Sequence, residues 1–338
     1  MAVSIVTGAA GFIGSHLVEA LLRQGDRVIG IDEFNDYYAI ELKRQNLSFA
    51  CQHPHFQLIS GDLQTLDWSE ILENVDFIYH QAAQAGVRSS WGQGFHNYTE
   101  KNINATQILL EAAKKSKSLK RLVFASTSSV YGNAETLPTQ ESVCPQPVSP
   151  YGITKLAAER LCWLYHQNFQ VPVTVLRYFT VYGPRQRPDM AFHKFFKAVL
   201  EDDTISIYGD GKQTRDFTFI SDAITANLAA AKIPASLGET FNIGGGSRVA
   251  LLDVLKTMEK ITGQTIKRNH LDFGLGDARH TAADASKARS LLGYNPQVSL
   301  IDGLAQEWLW IKSLYASKWL PSLTFSGEED SPESGDRT

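Results

Sequence analysis

Short apolar runs separated by amphipathic stretches fill the first half of the chain. Six of them lie at residues 4–8, 27–32, 56–62, 75–83, 121–127 and 173–179. They are rich in Val, Ile, Phe and Tyr, and most close on Gly, Asp or Thr. Runs of this length and composition predict strands. Between them, residues 15–24 place Leu17, Ala20, Leu21 and Leu22 on one helical face, and residues 98–116 place Ile103, Ile108, Leu109, Leu110 and Ala113 inward. Strand and helix patterns in alternation predict an α/β fold, a doubly wound parallel sheet with helices on both faces and right-handed crossovers.

After Phe179 the pattern loosens. Short strands fall within 205–217, and helices are expected near 221–231, 251–262 and 301–315. In the last of these, Leu304, Trp308, Ile311 and Tyr315 recur at helical intervals and predict a core-facing stripe. Turns are marked by Gly183, Pro184, Pro188, Gly209 and Gly211. The expected division is a nucleotide-binding domain at 1–179, to which later segments return, and a smaller, interleaved substrate lobe at 180–320. The Ser-, Glu- and Asp-rich tail at 321–338 is expected to be disordered.

Composition narrows the classes. At 338 residues and 43% hydrophobic, the chain can bury a sizeable core. A formal net charge of −4, with the basic residues scattered, offers no surface for nucleic acid. No run of about 18 apolar residues predicts a membrane span. The strand pattern at Ala2 to Val6 leaves no room for a leader peptide. Cys51, Cys144 and Cys162 have no metal or redox spacing, and an odd number of them reads as free thiols in a reducing, cytoplasmic setting.

Two motifs carry chemistry. In TGAAGFIG at 7–14, Gly8, Gly11 and Gly14 follow a strand and open a helix. Gly8 permits a tight turn, Gly11 lets backbone approach a pyrophosphate, and Gly14 lets helix and strand pack closely. The helix N-terminus then offers N–H groups to the phosphates. The next strand ends in Asp32, where a carboxylate can accept both ribose hydroxyls and would repel a 2′-phosphate. Glu33 adds negative charge, so NAD is favoured over NADP. The sheet is therefore Rossmann-like. Asp62 and Leu63 suit an adenine rim, with a plain turn as the alternative for Asp62. Ala82 and Ala83 are small enough for a flat cofactor to lie close, and Asn102 is a further candidate contact.

The second motif is Tyr151 and Lys155, one helical turn apart in SPYGITKLAAE. Free tyrosine, with a pKa of about 10, is a poor base at neutral pH. A nearby ammonium and a positively charged nicotinamide both favour its phenolate. The hydroxyls of STSS at 126–129 can orient a substrate oxygen. Together the motifs point to redox chemistry at a carbon bearing a hydroxyl.

TGAAGFIGSH, HQAAQAGVRSS, STSSVYG, SPYGITKLAAE, LRYFTVYGPRQRPDMAFHKF, IYGDGKQTRDFTFISD and FNIGGG occur in that order. Over about residues 3–315 the chain resembles the extended short-chain dehydrogenase/reductases of the nucleotide-sugar epimerase and dehydratase kind, above all the UDP-glucuronate 4-epimerases. That resemblance implies NAD as cofactor, with Phe12 and Ile13 joining the glycines, and a UDP-sugar as substrate. It implies Tyr151 as acid/base at the C4 hydroxyl, Lys155 lowering its pKa, and Thr127 bonding the same oxygen. Tyr178 would line the nicotinamide. Ala191, Phe192 and Lys194 would bind uracil and ribose, and Arg215 and Arg279 would grip the diphosphate. It also implies a homodimer formed by the helices near 98–116 and 151–167.

Within the family the first step is shared: C4 is oxidised to a 4-keto sugar. Dehydratases of this kind typically carry Asp–Glu, and UDP-glucuronate decarboxylases a Glu, where this chain has Ser128 and Ser129. UDP-glucose 4-epimerases often carry Asn where Thr180 stands. C4 epimerisation of UDP-glucuronate to UDP-galacturonate is therefore expected, with UDP-glucuronate decarboxylation or epimerisation of UDP-glucose or UDP-N-acetylglucosamine as alternatives. A 4-keto glucuronate is a β-keto acid, so an epimerase must hold its carboxylate. Thr127, Ser128, Ser129 and Thr180 are expected to do so, with Arg187 or Arg88 nearby; both arginines could instead serve loop structure or phosphate.

Overall fold

Seven parallel strands form the central sheet of the computed structural model, which describes residues 1–272 and 276–316. They are β1 (Val3–Thr7), β2 (Arg27–Asp32), β3 (Phe56–Ser60), β4 (Phe77–His80), β5 (Arg121–Thr127), β6 (Val173–Tyr178) and β7 (Thr240–Ile243). Their order is β7-β6-β5-β4-β1-β2-β3, every adjacent pair parallel. The order reverses between β1 and β4, which opens a crevice beyond their C-terminal ends. The first six strands agree with the expected runs to within a few residues. β7 lies outside those runs.

Side-chain alternation sends each strand's residues to two different cores. On one face Val6, Val28, Val123, Leu176 and Phe241 pack with Leu17 and Leu21 of α1 (Phe12–Arg23). On the other, Ile5, Ile78, Leu122, Phe124 and Val175 pack with Leu109, Leu110, Ala158 and Cys162. Those four come from α2 (Ala105–Ala113) and α3 (Pro150–Phe169). α3 starts at Ser149, whose hydroxyl accepts the Gly152 amide at 3.1 Å, with Pro150 in the first turn.

The expected helix at 98–116 is interrupted. Residues Thr99–Asn104 form a π-helical stretch before α2. The extra residue in the turn rotates the rest of the helix, so Asn102 and Thr106 are buried while Ile103 and Ile108 are only half-buried. Leu109, Leu110 and Ala113 face the core as expected.

The second half of the chain supplies α4 (Ala191–Glu201), α5 (Ile220–Lys232), α6 (Leu251–Thr262) and α7 (Leu300–Ala316). α4 holds three of the expected binding residues on a helix that the sequence pattern does not predict. Three two-stranded ribbons join Val181–Tyr182 to Thr218–Phe219, Thr214–Asp216 to Arg248–Ala250, and Ile205–Tyr208 to Arg268–Leu271. β7 and α5 return to the main sheet, α5 packing Ala223, Ala226 and Ala230 into the same core as α1. In α7, Leu304, Trp308 and Ile311 are buried as expected, Tyr315 is half-buried, and Leu314 is buried beside it. The tail at 321–338 lies outside the described residues. Among those described, no helix is long and apolar enough to cross a membrane.

Candidate active site

A cleft of about 1990 Å³ runs from the C-terminal ends of β1, β2 and β4 across to α4 and the 205–217 segment. Gly8, Gly11, Phe12, Ile13, Gly14, Asp32, Asp62, Leu63, Ala82 and Ala83 line one arm. Thr127, Ser128, Ser129, Tyr151, Lys155, Tyr178, Thr180 and Arg187 line the middle. Arg88, Ala191, Phe192, Lys194 and Arg215 line the other arm. A smaller cavity of about 680 Å³ beside β6 and α3 contains none of the residues expected from sequence.

The glycines are required by contact. Gly8 has φ +66°, and a Cβ there would lie 2.8 Å from the Ala82 nitrogen. A Cβ on Gly14 would lie 2.0 Å from the Gly8 carbonyl oxygen. No side chain caps α1, so the N–H groups of its first turn remain available at the cleft. Asp32 is fixed at the end of β2 by the amides of Ala10 (3.0 Å) and Phe34 (2.9 Å). Burial pushes its carboxyl up, against the pull of those amides and Lys43. An amide-lined turn with a fixed carboxylate one strand away fits a dinucleotide's pyrophosphate and ribose. A neutral His80 pins the switch point: burial lowers its pKa to about 3, and its ring nitrogens meet Thr7 Oγ1 at 2.7 Å and Thr106 Oγ1 at 3.0 Å.

Two further residues of this arm are held by neighbouring side chains. Asn102 is buried beside Gln84 of the cleft wall. Its amide accepts the Gln84 N–H and donates to the Gln84 carbonyl and Thr154 hydroxyl, so it shapes the loop after β4. Lys101 bridges Glu33 to Asp62, at 2.9 Å from the latter, which leaves the group with one net negative charge beside Asp32. Burial opposes ionisation of Asp62, but the Gln64 amide and Lys101 outweigh it and lower its pKa. Lys101, one position before Asn102, carries no motif that marks it in the sequence.

In the middle of the cleft, Tyr151 is half-buried, with its ring edge-on to Tyr98 at 6.2 Å between centroids. Its backbone N–H donates to Ser90 Oγ at 3.1 Å. Burial raises the phenol's pKa; Arg187 and a hydrogen bond with Thr127 act to lower it, and Tyr98 raises it. Lys155 was expected to be the cation at the phenol. It lines the same cleft, but its ammonium sits 4.4 Å from the centre of the Phe124 ring, and burial lowers its pKa to about 8. Arg187 is a second cation whose charge favours the phenolate. Tyr178 donates to Asn227 Oδ1 at 2.9 Å, which fixes its ring against the cleft. Thr127 Oγ1 accepts the Ser129 amide at 3.1 Å and donates to Ser129 Oγ at 3.2 Å, so the hydroxyls at the end of β5 form one cluster.

The arginines separate. Arg187 sits by the phenol, paired through Nε and Nη2 to Asp189, both contacts at 2.9 Å. Arg88 lies farther along, stacked 3.6 Å from the Tyr208 ring centre and bonded to Asp277 at 2.8 Å, on the side where Arg215 feels its charge. It is thus placed on the side of Arg215, one of the expected diphosphate residues. Arg215 donates to the carbonyls of Thr214 and Arg279, and burial lowers its pKa. Arg279 adjoins Arg215: its side chain pairs with Asp210 at 2.8 Å, and its carbonyl accepts from Arg215. Asp189, two residues beyond Arg187, was missed; the Arg-x-Asp spacing is its only trace in the sequence.

Comparison with known proteins agrees with this geometry. Residues 4–244 match the model of the NAD dependent epimerase/dehydratase family. The chain is 48% identical to the uncharacterized UDP-glucose epimerase YtcB of Bacillus subtilis (strain 168), over 92% of this chain and 98% of that one. It is 38% identical to a UDP-glucuronate 4-epimerase of Thermodesulfobacterium geofontis (strain OPF15), over 91% and 95%. It superimposes on the UDP-glucuronic acid 4-epimerase from Bacillus cereus, solved with UDP-glucuronic acid and NAD, with a TM-score of 0.90, 48% identity, and coverage of 93% and 100%. With a glycine turn, an anchored Asp32 and a Tyr151–Lys155 pair in one cleft, and with these matches along nearly its whole length, this chain belongs to the NAD dependent epimerase/dehydratase family.

Proposed function

We propose that this protein is an NAD-dependent enzyme that inverts C4 of a UDP-sugar, and that its substrate is UDP-glucuronate, converted to UDP-galacturonate. One observation carries the choice of sugar. A guanidinium, Arg187, and four hydroxyl residues, Thr127, Ser128, Ser129 and Thr180, line the cleft around Tyr151, with no carboxylate at the end of β5 to drive loss of water. The resemblance to solved and curated UDP-glucuronate 4-epimerases supports the same reading.

In this reading the glycine turn, Phe12, Ile13, Asp32, Leu63, Ala82, Ala83 and Tyr178 hold NAD. Bound there, the cofactor supplies the acceptor and later the donor of the C4 hydride. Tyr151 takes the C4 hydroxyl proton as C4 is oxidised, and returns it after the sugar has turned over. Thr127 bonds the same oxygen and keeps it in line with the phenol. Lys155 holds the nicotinamide ribose, and its charge keeps the region positive. Ala191, Phe192 and Lys194 take the uridine, and Arg215 takes the diphosphate, its remaining guanidinium edge open to the cleft.

The 4-keto uronate loses carbon dioxide only when its C5–C6 bond lines up with the carbonyl π system. Arg187, Thr180 and the β5 hydroxyls are assigned to hold the carboxylate out of that alignment. Arg187→Met should therefore divert product toward UDP-pentose while slowing inversion about tenfold or more. Chromatography of the reaction mixture reads both. Unchanged inversion with full carboxylate retention in Arg187 and Thr180 variants alike would remove the carboxylate cage.

The domain division follows the same reading: 1–179 with β7 and α5 holds the cofactor, and most of 180–320 holds the nucleotide-sugar. We also assign a homodimer in the cytoplasm. α3 exposes Ile153, Trp163, Leu164 and Phe169. No large hydrophobic residue of 98–116 is exposed, so α3, with Phe95 nearby, is the apolar face to be covered. Light scattering at micromolar concentration should give the mass of two chains; a monomer would remove this assignment.

The test of the activity is product analysis with UDP-glucuronate and NAD, run beside UDP-glucose and UDP-N-acetylglucosamine. UDP-galacturonate is expected. UDP-xylose would indicate a decarboxylase, inversion of the neutral sugars alone a hexose epimerase, and binding without turnover a sensor.

A further inference from the structure

Arg187 has five N–H groups, and Asp189 takes two of them, at Nε and Nη2. The other three have no hydrogen-bond partner among the described residues, and the side chain keeps 22% of its surface exposed, on the wall of the cleft. Asp189 is itself sheltered, at 15% exposure, and its Oδ2 also receives the Tyr37 hydroxyl at 3.4 Å. The ion pair is therefore set before any substrate arrives. One edge of the guanidinium is spent on a fixed carboxylate, and the other faces the sugar site.

We propose that Asp189 is a positioning and specificity residue that orients Arg187 toward a uronate carboxylate and tempers its grip on it. The inference rests on the uronate reading above and extends it to a residue that does not itself need to touch the sugar. An epimerase faces two opposed demands. It must hold the carboxylate while C4 is a ketone, yet the same sugar must turn over before C4 is reduced again, and the carboxylate must leave its seat. A sheltered guanidinium without a counter-charge would bind the carboxylate through paired charge-assisted bonds. Tight binding of the ground state deepens the well from which the turnover must climb. With Asp189 in place the ion pair carries no net charge before binding, and only the free edge of the guanidinium is offered. Burial pushes the Asp189 carboxyl up, but Arg187 outweighs it and keeps it ionised, so the counter-charge is present at neutral pH.

Asp189→Asn keeps shape and removes the charge. Calorimetric affinities of the NAD-loaded enzyme for UDP-glucuronate and UDP-glucose give a ratio that cancels general effects on folding and on the uridine and diphosphate sites. That ratio should rise about tenfold in Asp189→Asn, and KM and kcat for UDP-glucuronate should both fall. Asp189→Ser, neutral and small, should raise the ratio in the same direction and serves where the Asn variant does not fold. In an Arg187→Met background, Asp189→Asn should leave the ratio unchanged. A ratio that stays flat or falls in the single variants, or that rises without Arg187, overturns the inference. The ratio comes from binding, so it reads Asp189 even if the wild-type enzyme fails to turn over UDP-glucuronate; that failure would overturn only the proposed activity.

Discussion

Tyr151→Phe should lower epimerisation by about 10³-fold while leaving the fold and NAD binding in place, since general acid–base groups typically contribute on that scale. The ring would still pack edge-on against Tyr98, and Thr127 would still bond the sugar oxygen, but no group there could take the proton. The wild-type pH profile carries the same chemistry. Burial favours the neutral phenol, so activity on the free enzyme should rise with pH as the phenolate fraction grows. The groups that act on the phenol are Arg187 and Thr127, which lower its pKa, and Tyr98, which raises it. Arg187→Met removes the cation, so the rising limb of kcat/KM should move to higher pH. A Tyr151→Phe enzyme retaining a tenth or more of wild-type turnover would show that the proton goes elsewhere.

Arg177→Met should destabilise the fold by about 3–5 kcal/mol. Arg177 and Glu159 are both only 4% exposed, and the pair joins β6 to α3 beneath the active site. Arg177 Nε donates to Glu159 Oε2 at 3.0 Å, and a second, shorter contact joins Nη2 to Oε1. Ser126, at the end of β5, donates to the same carboxylate at 2.8 Å, and Arg177 Nη1 donates to the Tyr131 hydroxyl at 2.7 Å. Removing the arginine leaves a carboxylate in the core with one hydroxyl partner. Replacing both residues by Met should recover part of the loss, because no charge is then left unpaired. Urea unfolding compares the three proteins. A single variant as stable as wild type would mean that water reaches the pair.

Most of the central sheet could be read because buried parallel strands are near-continuous apolar runs, as at 121–127, and because glycine spacing has few other causes when it follows such a run. β7 escaped notice: only four residues long, it is followed by three glycines that read as a loop. The break at Thr99–Asn104 has no compositional mark, and that is why Ile103 reads as a core position in the sequence. Among site residues, those tied to a local motif were placed in the cleft. Those whose role depends on a partner across the cleft were not legible, because pairing across the fold leaves no spacing signal. Lys101 between Glu33 and Asp62, Arg88 on Tyr208, and Arg279 turned to Asp210 are of this kind.

In the proposed reaction, hydrogen leaves C4 and comes back to C4 on the opposite face without exchanging with water. UDP-glucuronate labelled with deuterium at C4 tests it directly by NMR of the product. The expected product is UDP-galacturonate with the label retained at C4 and none of the solvent's hydrogen in its place. Label lost to water, or solvent hydrogen appearing at C4 or C5 of the epimer, would contradict it.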